Sequence, residues 1–244
     1  MDRPGGRELA AAPEHRLDRP LPDPPPGART DTDETLGALT DLVRQGKVRY
    51  VGSSTFAPSA IVEAQWVAQD RRLQRYVCEQ PPYSMLVRGI EADVLPICAR
   101  YGMGVVSYSP LAGGWLSGRW RKGAQQPGST RAERLPERFD LSLPANQRKL
   151  DAADQLAQLA DDSGIPLVRL AIAYVLNHPA VTAAIIGPRT MDHLESQLPA
   201  SDLVLDAALL DRIDEIVAPG TNINPADAGA LMANPGLEPA ARRR

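Results

Sequence analysis

The chain has 244 residues, of which 43% are hydrophobic, and its formal net charge is -3. A chain of this length and composition can bury a substantial core as one domain. Its pI of about 5.7 gives no basic surface, so nucleic acid and anionic membrane are poor candidates for partners. No run approaches the roughly 18 apolar residues of a membrane helix, and no apolar signal core opens the chain. We therefore expect a cytoplasmic protein.

The two cysteines lie in different patterns. Cys78 belongs to an apolar strand pattern and Cys98 to an apolar helix pattern, without a CxxC spacing. We expect both to be reduced thiols in the core. Four ligands with a zinc-like spacing are absent from the sequence, so no metal site is predicted.

Composition divides the chain into three parts. Residues 1–30 are rich in Pro, Arg and Asp and have almost no large apolar side chains, which predicts a disordered segment. Residues 31–218 are predicted to form one α/β domain. Residues 219–244 are again rich in Pro, Asn and Gly, and we expect this tail to lie over a surface or to fray.

Helix and strand patterns alternate through the first part of the domain. Their order is helix TDETLGALTDLVRQG, strand VRYVGSS, helix PSAIVEAQWVAQ, strand YVCEQ, helix EADVLPICARYG and strand GVVSYS. One strand and one helix repeat about every 30 residues, which is typical of right-handed βαβ crossovers. The sequence therefore predicts an α/β fold with a parallel sheet.

A long polar loop, residues 119–144, interrupts this alternation. Two helical patterns follow, RKLDAADQLAQLADDSG and PLVRLAIAYVLNHP, and then the strand TAAIIG and the helix DAALLDRIDEIV. The alternation therefore resumes with a fourth strand.

Polar and aromatic residues follow the predicted strands. They are Ser53 to Thr55, Glu79 and Gln80, Tyr108 and Ser109, and residues 187–190. Ligands of parallel α/β proteins bind at the carboxyl ends of the strands. Hydroxyls and a carboxamide can bond an amide, an aromatic ring can stack on a heterocycle, and a glycine turn with an arginine can hold phosphate. This set favours a dinucleotide, and the lack of a GxGxxG motif favours a TIM-type barrel over a Rossmann fold.

Four segments resemble, in order and spacing, the second half of the aldo-keto reductases. They are VRQGKVRYVGSSTF, CEQPPYSMLVRGIEADVLP, SYSPLAGGWLSGR and IIGPRTMDHLESQL, and the resemblance runs from about Asp33 to Val217. It implies a (β/α)8 barrel that binds NADP(H) and reduces aldehydes and ketones. The segments are similar to strands five to eight with their helices, so the implied fold is a partial barrel whose N-terminal half is missing.

The resemblance also assigns cofactor residues. Ser54, Thr55 and Gln80 match residues that hold the nicotinamide carboxamide, and Tyr108 matches the aromatic residue stacked on the nicotinamide ring. The pyrophosphate loop is matched by Ser109, Pro110, Leu111, Gly113 and Arg119, and the adenosine and 2'-phosphate segment by Gly187, Arg189, His193 and Gln197. Two positions depart from the family: Thr55 replaces the usual Asn, and Ser196-Gln197 replaces a usual Glu-Asn pair.

Several of these side chains also have ordinary structural interpretations. Tyr108 could be a core residue, and Arg189 and His193 could be solvated surface. Trp115 and Trp120 could line a substrate pocket or cover the barrel mouth. A further histidine, His178, is expected at a helix end, as a C-terminal cap or as a partner of the helix dipole.

The family's catalytic Asp, Tyr and Lys come from the first half of the barrel, which the resemblance does not cover. EHRLDRPLPDP offers His15 as a stretched version of the family's catalytic histidine motif. Its spacing to Glu34 is too long and no apolar strand precedes it, so chance similarity is the favoured interpretation of His15.

Three functional interpretations remain open. The first is an NADP(H)-dependent carbonyl or alcohol oxidoreductase that is inactive as this chain alone and needs the missing half. The second is a non-catalytic NADP(H)-binding or scaffolding module, and the third is a decayed gene fragment. Because an incomplete barrel exposes strand edges and an apolar interior, we expect a homodimer or a partner that supplies the missing half.

Overall fold

The computed structural model describes residues 30–125, 127–128 and 130–229. The predictions for residues 1–29, including His15, lie outside this range. All of the elements below belong to one compact unit that begins at Thr32.

Eight α-helices are present among the described residues. They are α1 Thr32–Arg44, α2 Pro58–Arg71, α3 Val94–Arg100, α4 Thr130–Arg134, α5 Pro144–Asp162, α6 Leu167–Asn177, α7 Met191–Gln197 and α8 Ala207–Ile216. Short 3-10 turns lie between some of them, and the last is Pro225–Ala228. Within the described part of the chain, every helix is too short or too polar to span a bilayer.

The sheet has four parallel strands in chain order, β1 Ser53–Ser54, β2 Cys78–Gln80, β3 Gly104–Ser107 and β4 Ala183–Ala184. Each strand joins the next through at least one helix, as the alternating patterns predict. The carboxyl ends of the strands therefore lie side by side.

The two faces of the sheet differ in burial. On one face, Ser53, Glu79 and Val105 are in register and all are buried. On the other face, Ser54 is in register with Gln80, and both are exposed. Successive residues of a strand point to opposite faces, so this second face, called the open face below, carries Ser54, Cys78, Gln80, Gly104, Val106, Ala183 and Ile185.

The core lies between the covered face and the helices. α5 and α6 both contribute to it: Ala153, Leu156 and Ala157 on α5 and Leu170 and Val175 on α6 are fully buried. The buried residues of α5 recur at helical spacing, as expected for a helix with one apolar face, whereas the consecutive residues 170–175 of α6 are all buried, so this helix is enclosed on all sides.

Two segments differ from the sequence prediction. The predicted strand VRYVGSS pairs as a strand only at Ser53–Ser54, although Val77 also donates its N–H to the Val51 carbonyl at 2.9 Å. The predicted loop 119–144 contains the helix α4 and a 3-10 turn at Pro136–Arg138.

Residues 219–229, called the C-terminal strap below, pack on the domain. Arg88 donates its N–H to the Thr221 carbonyl at 2.9 Å, and Ile223 donates to the Leu86 carbonyl at 3.2 Å. This part of the predicted tail therefore lies over a surface, one of the two alternatives expected from its composition.

Candidate nucleotide site

Three residues that follow β1 and β3 have a left-handed backbone. The φ angles are 58° at Thr55, 59° at Ser109 and 48° at Ala112. Positive φ is unusual outside glycine and is costly for a β-branched residue such as threonine. Strained residues cluster at functional sites when the surrounding structure holds them. These three mark the carboxyl ends of β1 and β3 as the candidate site.

Glu79 fixes the turn after β1. Its carboxylate accepts hydrogen bonds from the Ser53 hydroxyl and from the Phe56 N–H, the latter at 3.1 Å. Thr55 donates its N–H to the Gln80 carbonyl at 3.1 Å. Burial raises the pKa of the Glu79 carboxyl, while the bond from Ser53 acts in the opposite direction. The left-handed turn at Thr55 is thus held from both sides.

Ser54 and Gln80 present polar groups on the open face. The Ser54 hydroxyl donates to the Gln80 backbone carbonyl at 2.9 Å, which leaves the Gln80 carboxamide for other partners on this exposed face. The sequence-based pairing of these two residues is therefore compatible with the strand register.

Tyr108 lies beside this pair. It donates its N–H to the Pro81 carbonyl at 3.0 Å, and its own carbonyl accepts the Tyr83 N–H at 3.2 Å. Its phenolic oxygen is 3.3 Å from the Thr55 hydroxyl. The side chain is half-buried, so part of it remains accessible to a flat ligand.

The loop after Tyr108 packs into an aromatic cluster. Trp115 stacks on Trp120 with ring centroids 3.9 Å apart, and Lys149 Nζ lies 4.5 Å from the Trp115 ring centroid. Both tryptophans are buried, which gives them a packing role.

The other predicted pyrophosphate residues lie in the same loop, before Trp115 and between Trp115 and Trp120. Pro110 is buried, and Ser109, Leu111 and Gly113 are half-buried. Arg119 is exposed, and its Nε donates to the Ser117 hydroxyl at 3.3 Å. Ser109 to Gly113 are therefore at least partly covered, while Arg119 lies at the surface.

The residues after β4 are mostly on the surface. Gly187, Arg189 and His193 are exposed, and the Thr190 hydroxyl caps α7 by accepting the His193 N–H at 3.3 Å. Because β4 pairs with β3, this segment emerges beside Tyr108. Gln197 differs: it is buried, and its Oε1 has no hydrogen-bond partner among the described residues.

A buried charge network behind the site was not singled out from the sequence. Arg88 Nε lies 2.9 Å from Glu91, and its Nη1 lies 2.7 Å from Asp214. Glu91 also accepts from the Tyr83 and Tyr174 hydroxyls at 2.7 and 2.9 Å. Burial alone would raise the pKa of Glu91, but the bonds from Arg88 and Tyr83 lower it. The i, i+3 spacing of Arg88 and Glu91 is the one feature of the sequence that could have indicated this ion pair.

A second buried charge group connects the strap to α5. Lys149 is fully buried, and its Nζ donates to Asp227 at 2.7 Å and to the Arg138 carbonyl at 2.7 Å. Arg138 Nε donates to the other Asp227 oxygen at 2.6 Å. Burial lowers the pKa of Lys149, and the Asp227 carboxylate partly offsets this. These contacts anchor the strap two residues before Gly229.

The remaining predictions concern His178 and the cysteines. His178 follows α6, and its Nδ1 accepts the Ala180 N–H at 3.2 Å, so it has the expected capping position. Cys78 and Cys98 are free thiols, and burial raises the pKa of Cys98 to about 11.

Comparison with known proteins identifies the sequence family. The profile of the Aldo/keto reductase family matches residues 14–218, beginning before Asp33. The chain is 38% identical over 202 residues to the uncharacterized oxidoreductase YrpG of Bacillus subtilis, which covers 83% of this chain and 56% of that protein.

Two further relatives have different names. A protein of Arabidopsis thaliana named probable voltage-gated potassium channel subunit beta is 32% identical over 203 residues, 79% of this chain and 59% of that protein. Versiconal hemiacetal acetate reductase of Aspergillus parasiticus is 28% identical over 207 residues, 84% of this chain and 56% of that protein. The chain thus spans just over half the length of each of these relatives.

Proposed function

Because the chain belongs to the aldo/keto reductase family, we propose that it carries the cofactor-binding part of an NADP(H)-dependent oxidoreductase that acts on an aldehyde, ketone or alcohol. The observation that carries this proposal is the grouping of Ser54, Gln80 and Tyr108 at adjacent strand ends, on or beside the open face of the sheet.

Each group has a chemical role in this proposal. The Ser54 hydroxyl and the Gln80 carboxamide bond the nicotinamide amide, and the Tyr108 ring stacks on the nicotinamide. The exposed Arg189 guanidinium pairs with the 2'-phosphate. When bound, the reduced nicotinamide supplies a hydride. The protein's part is to orient the ring and to hold the phosphates.

The open face supports a partial barrel. In a closed barrel the inward face of every strand is covered by side chains of the other strands. Here, Ser54 and Gln80 are exposed while their neighbours Ser53 and Glu79 on the opposite face are buried. We propose that further strands cover the open face in the active unit, either from an additional polypeptide segment or from a partner.

In this proposal the proton donor comes from outside the described site. Proton transfer to the carbonyl oxygen requires a side chain within hydrogen-bond reach of it. The resemblance assigns that role to the half of the barrel that it does not cover. The chain alone is therefore expected to bind the cofactor without turning over a carbonyl substrate.

A second candidate is a binding module without chemistry. The similarity to the protein named as a probable potassium channel subunit beta favours it. The same cofactor residues would serve both functions, so nucleotide binding does not separate them. Turnover of a carbonyl substrate, measured after the missing half is supplied, separates the two functions.

The test uses the full 244-residue chain. NADPH binding is measured by fluorescence titration for the unchanged chain, for Tyr108→Ala and for Tyr50→Ala, which removes a tyrosine that is 75% exposed and outside the strand ends. NADPH oxidation is then followed with an aromatic aldehyde, alone and with the barrel half of a relative added.

We expect NADPH binding that is weakened about tenfold by Tyr108→Ala and unchanged by Tyr50→Ala, since loss of one stacking contact has about this effect. Turnover should appear only with the added half. Robust turnover by the chain alone would contradict the partial barrel. Absence of turnover with the half present would favour the binding module, and absence of both binding and a cooperative melt would favour a decayed fragment.

A further inference from the structure

The C-terminal strap begins at the Arg88 and Glu91 network. Glu91 accepts the Gly220 N–H at 3.0 Å, and the Asn222 side-chain oxygen accepts the Gly89 N–H at 2.8 Å. Two separate partners therefore fix the direction of the strap as it leaves α8.

The middle of the strap is anchored by buried polar groups. Asn224 donates to the Asn146 side-chain oxygen at 2.7 Å and to the Glu137 carbonyl at 3.0 Å. Asp227 then pairs with Lys149 and Arg138. Breaking a buried ion pair leaves an uncompensated charge, so this anchor resists displacement.

The strap ends against the candidate site. Gly229 has φ 87° and ψ 146°, a combination open almost only to glycine. A Cβ atom at this position would lie 2.6 Å from Thr55 Cγ2 and 3.4 Å from the Tyr108 hydroxyl oxygen. The space beside Gly229 is thus bounded by the strained Thr55 and by the hydroxyl of Tyr108.

We propose that the C-terminal strap holds Tyr108 in its nicotinamide-facing position, with Gly229 and Asp227 as positioning residues of the cofactor site. The inference rests on the proposed function, because it takes Tyr108 to be the stacking residue. The Thr55 hydroxyl lies 3.3 Å from the phenolic oxygen, and a Cβ atom at position 229 would meet both side chains. A ring that is fixed before the ligand binds loses less conformational freedom on stacking.

The decisive comparison uses two glycines of the strap. Gly229→Ala adds a methyl group that collides with Thr55. Gly220→Ala also places alanine at a positive φ, 71°, but its Cβ would meet only Ala92 Cβ at 3.8 Å. Both variants add backbone strain to the same segment, whereas only Gly229→Ala displaces a site residue.

The first readout does not require a ligand. The full chain is labelled with 3-fluorotyrosine, and the Tyr108 signal among the 6 tyrosines is assigned with Tyr108→Phe. We expect the fluorine resonance of Tyr108 to shift or broaden in Gly229→Ala and to stay in place in Gly220→Ala. If Gly229→Ala does not fold, Asp227→Asn loosens the strap without adding volume and should shift the same resonance.

The second readout separates two ligands. NADPH contains the nicotinamide, whereas 2',5'-ADP carries the adenosine phosphates without it. Gly229→Ala should raise the Kd for NADPH about tenfold, as expected for loss of a stacking contact, and leave the Kd for 2',5'-ADP unchanged. Gly220→Ala should leave both unchanged.

An unchanged Tyr108 resonance in Gly229→Ala and Asp227→Asn, or an equal loss of affinity for both ligands in Gly229→Ala, would overturn the positioning role. If the unchanged chain binds neither ligand, the proposed function fails. The Tyr108 resonance then still decides whether the strap holds this side chain.

Discussion

The carboxylate of Glu79 accepts the backbone N–H of Phe56 at 3.1 Å, across the turn that contains Thr55. The same carboxylate accepts the hydroxyl of Ser53, so both ends of the turn are tied to one buried side chain. Thr55 keeps its left-handed backbone inside this connection. Glu79 therefore supports the site from behind, on the covered face of the sheet, without facing a ligand.

Replacing Glu79 by Gln should change how stability depends on pH. Burial raises the pKa of Glu79 above its ordinary value of 4.5 in the folded state. At a pH between the pKa of Glu79 in the unfolded state and its raised pKa in the folded state, the folded state binds more protons than the unfolded state. The free energy of unfolding therefore falls as pH rises through this window. The unchanged chain should lose stability relative to Glu79→Gln as pH rises from about 4.5, by about 1.4 kcal/mol per unit of raised pKa. Urea unfolding between pH 4 and 8 measures this.

Glu63→Gln is the control, because Glu63 is exposed on α2 and bonds Thr32 at the surface. It removes one carboxylate from an exposed position, so the comparison isolates the contribution of the buried carboxylate. A parallel pH profile for Glu79→Gln and Glu63→Gln would show that Glu79 is not protonated in the folded state across this window.

Glu91→Gln should have the opposite pH dependence. Hydrogen bonds from Arg88 and Tyr83 outweigh burial and lower the pKa of Glu91. The carboxylate therefore adds stability above about pH 4.5, and this contribution disappears as pH falls through the lowered pKa. At pH 7 the variant should be less stable by roughly 3 kcal/mol, since Arg88 loses a buried partner. Urea unfolding at pH 7 and pH 3 tests this, and an equal deficit at both values would contradict it.

Arg189→Ala should change the preference between nicotinamide cofactors. Arg189 is exposed beside the carboxyl end of β4, where the 2'-phosphate of NADPH is proposed to bind. A charge-assisted contact contributes roughly 1.5–3 kcal/mol, so the Kd for NADPH should rise about ten- to a hundredfold while the Kd for NADH stays unchanged. Isothermal titration with both cofactors measures the split.

Arg212→Ala removes another exposed arginine, from α8, and serves as the control for net charge. It should affect neither cofactor. Equal losses of NADPH and NADH affinity in Arg189→Ala would place the Arg189 side chain elsewhere.

Most of the fold prediction rested on the local spacing of apolar residues. The apolar spacing in α2 and α6 and the short apolar runs of β2 and β3 depend on neighbours within one element, and all four appear where the patterns indicate. The extent of β1 could not be read in this way. Pairing length depends on where the neighbouring strand begins, and β1 pairs as a strand only at Ser53–Ser54.

The site was predictable only where it lies at strand ends. Ser54, Gln80 and Tyr108 could be grouped because parallel strands end at one edge of a sheet. The contacts of the strap could not be predicted from the sequence, because Asp227 and Lys149 are separated by 78 residues and neither belongs to a recognisable sequence motif. The role of Glu79 was also hidden, since its partners depend on strand register and on which face it occupies.

The open face should drive assembly of the purified chain. It carries Ile185, which is 40% exposed, together with the half-buried Val106 and Ala183. Among the described residues β1 and β4 pair on one side only, so strand edges and the apolar side chains of the open face are both available to another copy. We expect dimers or larger assemblies by light scattering, and strong binding of hydrophobic dyes by any monomer.

Ile185→Lys tests whether the open face is responsible. A lysine there would have to be buried unpaired in the assembly, so the variant should shift the light-scattering distribution toward monomer and weaken association about tenfold or more. Val204→Lys is the matched control, because Val204 is 88% exposed and lies outside the sheet. It should leave association unchanged. A compact unsubstituted monomer with a strong near-ultraviolet circular dichroism signal, a cooperative melt and no dye binding would contradict this proposal.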